Sequence, residues 1–324
     1  MNNTEPLKKL YSALYQLNRG QQSPITQFVI YSAILCAIAT FGLVSNFFLI
    51  CVTVRSKNLR GTSNYLLALT AFYEMLHQIG HFLSFYVSIS GQNFIDYGVA
   101  ISFFTVSIFG LSGAIVTTMF TGLDRFIVIL FVNWTFNGTK LRLYLGIITA
   151  LCTLFSIYHV VAIQLEALTD SYSGVKIPGS IGDIFISKAA SALSMSIMAL
   201  NFLTILIYAL TAIMLRIRPG INSATTNARD RKIFRSLLAI VILNLGGYFC
   251  VAIFTVGATQ FTGIIGTPMN HWCIAQLMGL FLNVSASSNG PILLMTSSNY
   301  REAFRIELSR LLNRIVVNSV SPFP

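Results

Sequence analysis

The chain places an acid and a base side by side at Asp124 and Arg125, followed by Phe126, where the third of seven apolar stretches ends. An ionisable residue at membrane depth is costly and is by default a candidate for function. A guanidinium at a helix C-terminus gains from the helix dipole, and the adjacent carboxylate can hold it in one pose. The pair predicts a charge-based switch; the alternative is an arginine that extends to the membrane surface and only helps to set topology.

Asp230 is the expected counter-ion of Arg125. It precedes Tyr248 by 18 residues, which is five helical turns, so the two residues lie on one face of the sixth apolar helix. We expect an ion pair between Arg125 and Asp230 to hold a resting state. The pair would break when the sixth helix moves outward.

Glu74 is the only formal charge in the core of the second apolar stretch. A carboxylate in hydrocarbon must find partners or take up a proton, and three polar residues of the first and seventh stretches can converge on it. One interpretation is a pocket for Na⁺ and water. The other, which the length of the glutamate side chain favours, is a protonated carboxyl in a hydrogen-bonded cluster that joins helices. The three polar residues are Asn46, Ser285 and Asn289.

The histidines form no cluster with carboxylates that would predict a catalytic centre. His77 and His81 stand one helical turn apart, a spacing that can hold a metal ion. We favour interior histidines whose hydrogen bonds are satisfied within the protein. No nucleophile elbow or phosphate loop is present, so we expect no enzyme activity, no metal and no cofactor.

These residues stand in a chain that is 55% hydrophobic and only 10% charged, whereas soluble domains carry about 25% charged residues. From Ser236 to Tyr300 the sequence contains no Asp, Glu, Lys or Arg. A membrane span needs about 20 mostly apolar residues, and lipid requires its backbone groups to bond within the segment. The composition therefore predicts an all-α membrane protein with seven transmembrane helices, at 28–54, 64–90, 98–125, 143–165, 188–215, 233–259 and 272–297.

The basic residues are distributed unevenly around these spans. With the N-terminus outside, 16 of the 21 Lys and Arg residues lie on the cytoplasmic side, and this positive-inside bias indicates the orientation. Topology thereby explains the net charge of +11, so we expect no nucleic-acid partner. The glycosylation sequons at Asn133 and Asn137 fall on the cytoplasmic side and are expected to stay unmodified.

We divide the chain into an extracellular N-terminal segment (1–27), a seven-helix membrane domain (28–297) and a cytoplasmic tail (298–324). In the tail, apolar residues fall on one helical face and arginines on the others. This pattern predicts a short amphipathic helix on the inner leaflet, with membrane lipid as its partner. The apolar face consists of Phe304, Leu308, Leu311, Leu312 and Ile315.

Five short motifs occur in order at the expected spans. Together they resemble the seven-transmembrane G-protein-coupled receptors, and most of all the nematode serpentine chemoreceptors of the Srsx type. Unlike most such receptors, the chain has no cysteine at the start of the third span or within 166–187, so the usual external disulfide is missing. The motifs are Gly42-Leu43-Val44-Ser45-Asn46, Asn64-Tyr65-Leu66-Leu67-Ala68-Leu69, Glu74-Met75-Leu76-His77, Gly122-Leu123-Asp124-Arg125-Phe126 and Asn299-Tyr300-Arg301-Glu302-Ala303-Phe304.

The resemblance implies a chemosensory receptor of the plasma membrane that binds an external small molecule or peptide between its helices and activates a heterotrimeric G protein. The alternatives are a small-solute transporter or channel, and a seven-span protein that has lost signalling. The resemblance also implies a ligand pocket in the outer halves of the helices. Its candidate residues are His81, Phe85, Ser107, Leu111, Ser196, Tyr248 and Asn283.

Overall fold

The computed structural model describes residues 5–131, 138–217, 238–244, 246–251 and 266–320. Within these ranges the fold is all-α, apart from one two-stranded antiparallel ladder between β1 (Ile95–Asp96) and β2 (Lys176–Ile177). Short 3₁₀ turns cover Lys57–Leu59, Asp170–Tyr172 and Ile181–Ile186. The helices are α1 (Glu5–Asn18), α2 (Thr26–Arg55), α3 (Thr62–Gln78), α4 (His81–Ile89), α5 (Tyr97–Leu130), α6 (Thr139–Ala167), α7 (Lys188–Ile217), α8 (Leu238–Val251, described except at position 245), α9 (Pro268–Ser287), α10 (Asn289–Thr296) and α11 (Ser298–Val320).

Four helices in the described part of the chain, α2, α5, α6 and α7, are long and apolar enough to cross a membrane. A fifth span results if α9 and α10, which meet at a 50° bend, are counted together. The predicted second span is divided into α3 and α4 at residues 79–80, and α8 is a shorter apolar helix. Exposed apolar side chains such as Leu143 and Leu154 on α6 suit a surface in contact with lipid.

The bend between α9 and α10 has a covalent cause. Pro291 has no backbone N–H, and its ring clashes with the carbonyl group four residues earlier, so a straight helix cannot continue through it. Accordingly α9 ends at Ser287 and α10 begins at Asn289. The start of α9 is also specified locally, because the side chain of Thr267 accepts a hydrogen bond from the N–H of Asn270.

Helix α5 is the central element of the bundle. In its most apolar window 67% of the residues are buried, against 28% in the equivalent windows of α2, α6 and α7. Two glycines bring its backbone against α3. A side chain at Gly110 would collide with the backbone of α3 at Tyr73 and His77, and one at Gly113 would collide with the ring of Tyr73. The sequence thus fixes α3 and α5 at close range.

Helix α1 closes one end of the bundle. Tyr11 and Leu14 are buried there in the same hydrophobic cluster as Phe28 and Trp272. The Tyr11 hydroxyl donates to Oδ1 of Asp183 at 2.7 Å, and the backbone N–H of Ser180 donates to Oδ2 at 2.8 Å. Burial raises the pKa of Asp183 to about 7, although these hydrogen bonds offset part of the shift. We call this the α1 end of the bundle, and the opposite end the α11 end.

The loop before α7 is tied to α5 by non-covalent contacts. The β1–β2 ladder pairs Ile95 with Ile177 and Asp96 with Lys176, and Lys176 Nζ lies 2.9 Å from Asp96 Oδ2. Next to the ladder, the rings of Tyr97 and Tyr172 stack with their centroids 5.1 Å apart. Both charged groups are partly exposed, so the ion pair itself contributes little. The ladder and the stacked rings hold this loop beside α5 without a covalent bond.

At the α11 end, a buried carboxylate joins α11 to α2. The side chain of Glu307 is only 4% exposed and forms ion pairs with Arg55 and Arg310. The ring of Phe304 packs on Phe48, with the centroids 5.4 Å apart. On its outer face α11 exposes about half of Leu308 and Leu312. Of the predicted apolar face, the side chains of Leu311 and Ile315 lie outside the described residues.

Replacement of Gly110 by alanine is expected to loosen the contact between α3 and α5. The new methyl group would meet rigid backbone atoms of α3, and overpacking of this kind costs about 1–3 kcal/mol. The melting temperature of the detergent-solubilised protein should therefore fall. Gly146→Ala on α6 is the matched control, because nothing lies within 4 Å of its added Cβ. Equal melting temperatures for the two variants would contradict the close contact.

The stability of the α1 end is expected to decrease as the pH rises. The carboxyl of Asp183 titrates near 3.8 in an unfolded chain and near 7 here, so the folded protein binds this proton more tightly. Its contribution is complete below about pH 4 and is lost as the pH rises through about 7. The melting temperature should fall by several degrees from about pH 5 to about pH 8. Asp183→Asn should make the melting temperature less dependent on pH. If this variant shows the same change of melting temperature with pH as the parent protein, Asp183 is not the group responsible.

Candidate functional site

One helix carries the two features that could act together. Near the middle of α5, Leu111 lines a cavity that also touches the 3₁₀ turn Ile181–Ile186 at the α1 end. Thirteen residues later, near the α11 end, the same helix carries Asp124 and Arg125. At 1.5 Å per residue this separation is about 20 Å along the helix axis. The cavity and the charged pair therefore sit on one continuous element.

The cavity is enclosed by side chains from α2, α3, α4, α5, α7, α8 and α9, and the 3₁₀ turn Ile181–Ile186 covers it. The cavity has a volume of about 60 Å³. Ser180, just before the 3₁₀ turn, donates to Oε1 of Gln276 at 2.9 Å and so joins the cover to α9. Among the described residues that line it there is no Asp, Glu, Lys or Arg. The site is thus apolar with a few polar groups, as small-molecule sites usually are.

Three of the seven residues predicted for the pocket line this cavity, namely His81, Leu111 and Tyr248. The other four lie elsewhere, and three of them make hydrogen bonds to main-chain carbonyl groups. Ser107 donates to the carbonyl of His77 at 2.7 Å, Ser196 to that of Ala192 at 3.0 Å and Asn283 to that of Leu35 at 2.9 Å. The remaining residue is Phe85, which is half-buried.

The two histidines of the second predicted span both line the cavity. His77 is 1% and His81 is 4% exposed, and their ring centroids are 5.8 Å apart. The sequence favoured histidines with satisfied hydrogen bonds. Instead, Nε2 of His81 and both ring nitrogens of His77 have no hydrogen-bond partner among the described residues. Within those residues, no group of three or more His, Cys, Asp or Glu side chains could hold a metal ion.

Glu74 lies next to the cavity rather than in its lining. The hydroxyl of Tyr248 donates to Oε1 of Glu74 at 3.4 Å, while Oε2 has no partner among the described residues. Tyr248 itself lines the cavity. A change in the position of the Tyr248 ring would therefore alter its hydrogen bond to the buried carboxyl of Glu74.

Two other predicted members of the polar cluster, Ser285 and Asn289, are joined through Asn244. Ser285 donates to Oδ1 of Asn244 at 2.6 Å, and Nδ2 of Asn244 lies 3.4 Å from Oδ1 of Asn289. Asn46 donates to the carbonyl of Ala286 at 2.9 Å. Sequence reasoning missed Asn244, although it stands one helical turn before Tyr248 on the same face of α8.

At the α11 end, hydroxyl groups surround the carboxylate of Asp124, which is 1% exposed. Thr62 donates to Oδ2 at 2.9 Å, Ser63 also donates to Oδ2, and Tyr144 donates to Oδ1 at 3.3 Å. Thr62 and Ser63 begin α3, and Tyr144 belongs to α6. We call these three residues the hydroxyl cage. The sequence signal for it was a helix start, Gly61-Thr62-Ser63, next to the second span.

Arg125, which is half-buried, lies close enough to Tyr208 and Tyr300 to interact electrostatically with both. These two tyrosines come from α7 and α11, so the guanidinium lies where three helices meet. The predicted counter-ion Asp230 and the sequons at Asn133 and Asn137 lie outside the described residues. The site therefore combines a hydroxyl cage around Asp124 with an adjacent arginine whose charge acts on residues of two other helices.

The comparison with known families covers most of the chain. The family described as serpentine type 7TM GPCR chemoreceptor Srsx matches residues 39–308. This range includes the hydroxyl cage, the charged pair and, apart from Leu35, the described residues that line the cavity. No curated protein matches the sequence. The match, together with the long apolar helices, makes this a multi-pass membrane protein, and the chain belongs to the Srsx family of serpentine G-protein-coupled chemoreceptors.

Proposed function

We propose that this receptor binds an external small molecule in the cavity and activates a heterotrimeric G protein at its α11 end. The observation that carries this proposal is the course of α5. This single helix lines the cavity at Leu111 and presents Asp124 and Arg125 about 20 Å away. A ligand that shifts α5 against its neighbours would shift the charged pair as well.

The mechanism we propose is a change in population between two arrangements. A ligand can shift such an equilibrium only by the difference between its affinities for the two states. In the resting state the hydroxyl cage holds Asp124, and the arginine lies between α7 and α11. In the active state the cage opens and Arg125 becomes available to the G protein. An ion pair between Arg125 and Asp230 is part of the proposed resting state.

We also propose the topology that this mechanism requires. The chain crosses the plasma membrane seven times, with α3 and α4 forming one span, α8 belonging to another, and α9 with α10 forming the last. The α1 end faces outward, as the distribution of Lys and Arg indicates. Helix α11 lies on the inner leaflet, where the exposed Leu308 and Leu312 contact lipid.

Opening the hydroxyl cage by mutation is expected to raise signalling without any ligand. Asp124→Asn weakens the charge-assisted bonds from Thr62, Ser63 and Tyr144. A hydrogen bond contributes about 0.5–1.5 kcal/mol, so basal nucleotide exchange on a co-expressed G protein should rise about two- to tenfold. Adding Arg125→Ala to this variant should return exchange to background.

The control for this pair of substitutions is Arg142→Ala, which removes an exposed arginine near the same end of the bundle. Combined with Asp124→Asn, it should leave the raised exchange unchanged. All variants are compared at equal surface expression. Exchange that persists after Arg125→Ala would show that the arginine is not the contact with the G protein.

The proposed orientation is expected to be visible in intact cells. An epitope tag before Met1 should bind antibody without permeabilisation, whereas a tag after Pro324 should bind only after it. Asn133 and Asn137 should carry no glycan, as measured by a mass shift on treatment with a glycosidase. A glycan at either asparagine would place the Asp124–Arg125 end outside and exclude contact with a G protein.

A further inference from the structure

We propose that the molecule bound in this cavity is compact, uncharged and mainly apolar, and that it carries one hydroxyl or carbonyl group which hydrogen-bonds to Nε2 of His81; this deepens the receptor function proposed above and rests on it. His81 is thus assigned as the residue that recognises the polar group. The other walls of the cavity recognise shape.

The first reason is the unfilled hydrogen-bonding capacity of His81. Its side chain is 4% exposed, it lines the cavity, and its Nε2 has no hydrogen-bond partner among the described residues. Buried polar groups are nearly always hydrogen-bonded, and an exception in a native structure calls for an explanation. A group on a bound molecule supplies the missing partner. Because an imidazole can present either a donor or an acceptor, both a carbonyl and a hydroxyl fit.

The second reason is that three other polar residues of the lining, Ser180, Gln276 and Tyr248, already have partners. Ser180 and Gln276 bond to each other, and the hydroxyl of Tyr248 donates to Glu74. These groups would have to break existing bonds to reach a ligand. Two alternative contacts must be separated from His81 by experiment. Ser194 on α7 presents a hydroxyl to the cavity, and His77 lines it with two ring nitrogens that also have no hydrogen-bond partner among the described residues.

The third reason is the position of His81 in the chain. It begins α4 directly after the interruption at residues 79–80, so its ring is not constrained to continue the face of α3. The space behind the interruption is closed, because a side chain at Gly80 would collide with Ser107. The break in the second span therefore places the imidazole beside His77 at the wall of the cavity.

Charge and size narrow the class of ligand. No charged side chain is found among the described residues of the lining, so an ammonium or carboxylate would lose its hydration without gaining a counter-ion there. A metal ion would find only two histidines, since no group of three ligands exists among the described residues. The cavity volume of about 60 Å³ is smaller than the roughly 150 Å³ of an apolar cavity that binds benzene. A compact neutral molecule is what remains.

The experiment uses the purified full-length receptor and matched probes. The probes are short-chain secondary alcohols and methyl ketones, together with the alkane, the primary amine and the carboxylic acid of the same carbon skeleton. The concentration at which each probe raises the melting temperature is measured. We expect alcohols or ketones to act at about tenfold lower concentration than the alkane, and the amine and the acid to have no effect.

Substitutions then test the role of His81. His81→Phe should raise the melting temperature of the ligand-free receptor, because it removes an unpartnered buried nitrogen. It should also abolish the preference of about tenfold for alcohol over alkane. His81→Gln, which keeps a donor and an acceptor, should retain part of the preference. His159→Phe on α6 is the matched control: its Nε2 also lacks a partner among the described residues, but it does not line the cavity.

Several outcomes would overturn the assignment. The first is a preference for alcohol over alkane that survives His81→Phe, and the second is a preference that is lost in His77→Phe or Ser194→Ala instead. The others are equal action of alkane and alcohol on the parent protein, stabilisation by the amine or the acid, and no stabilisation by any probe. Nucleotide exchange separates this result from the receptor function. If probe binding depends on His81 but causes no nucleotide exchange, the signalling proposal alone is refuted. If probes stimulate exchange equally in the parent protein and in His81→Phe, this assignment alone is refuted.

Discussion

The close approach of α3 and α5 is the constraint on which the rest of the molecule depends. Gly110 and Gly113 allow the two backbones to meet where any side chain would collide. Each helix contributes to both ends of the bundle: α3 carries His77 at the cavity and Ser63 at the hydroxyl cage, and α5 carries Leu111 and Asp124. Because interiors are close-packed and deform in discrete steps, a shift of one helix along the other alters both ends together.

Between the two ends, polar contacts join the helices through individually weak bonds. Tyr248 reaches Glu74 at 3.4 Å, and Asn244 bridges Ser285 and Asn289. Hydrogen bonds between membrane helices contribute about 0.6 kcal/mol on average. A bundle joined in this way keeps its fold through apolar packing while single contacts are exchanged at small cost. Such a bundle is suited to two arrangements of similar free energy.

Hydropathy alone predicted the longest helices. A long apolar stretch in lipid has to form a helix, because its backbone groups can bond only within the segment. The predicted spans 28–54 and 98–125 lie within α2 and α5, which extend past them. The same reasoning could not find the interruption at residues 79–80, because the sequence there has a glycine but no proline. It also missed α1, which is held by tertiary contacts of Tyr11 and Leu14 rather than by a hydrophobic run of its own.

For the candidate site, sequence identified residue types better than it identified their surroundings. Asp124 was recognised as important, but its cage comes from α3 and α6, and only the fold brings those helices together. Ser107 and Asn283 are polar and well placed along their helices, yet both turn to main-chain carbonyl groups. A single sequence does not say which side of a buried helix meets a cavity, because every side of it is apolar.

The β1–β2 ladder and the stacked rings, which hold the loop before α7 against α5, have a practical consequence for handling the protein. No cysteine lies at the β1–β2 ladder, so thiol reductants have no bond to cleave there, and assembly of this region does not wait for an oxidising enzyme. This region is instead weakened by agents that act on its ion pair and its stacked rings. Concentrated salt screens the Lys176–Asp96 pair, and agents that compete for aromatic surfaces act on the stacked tyrosines.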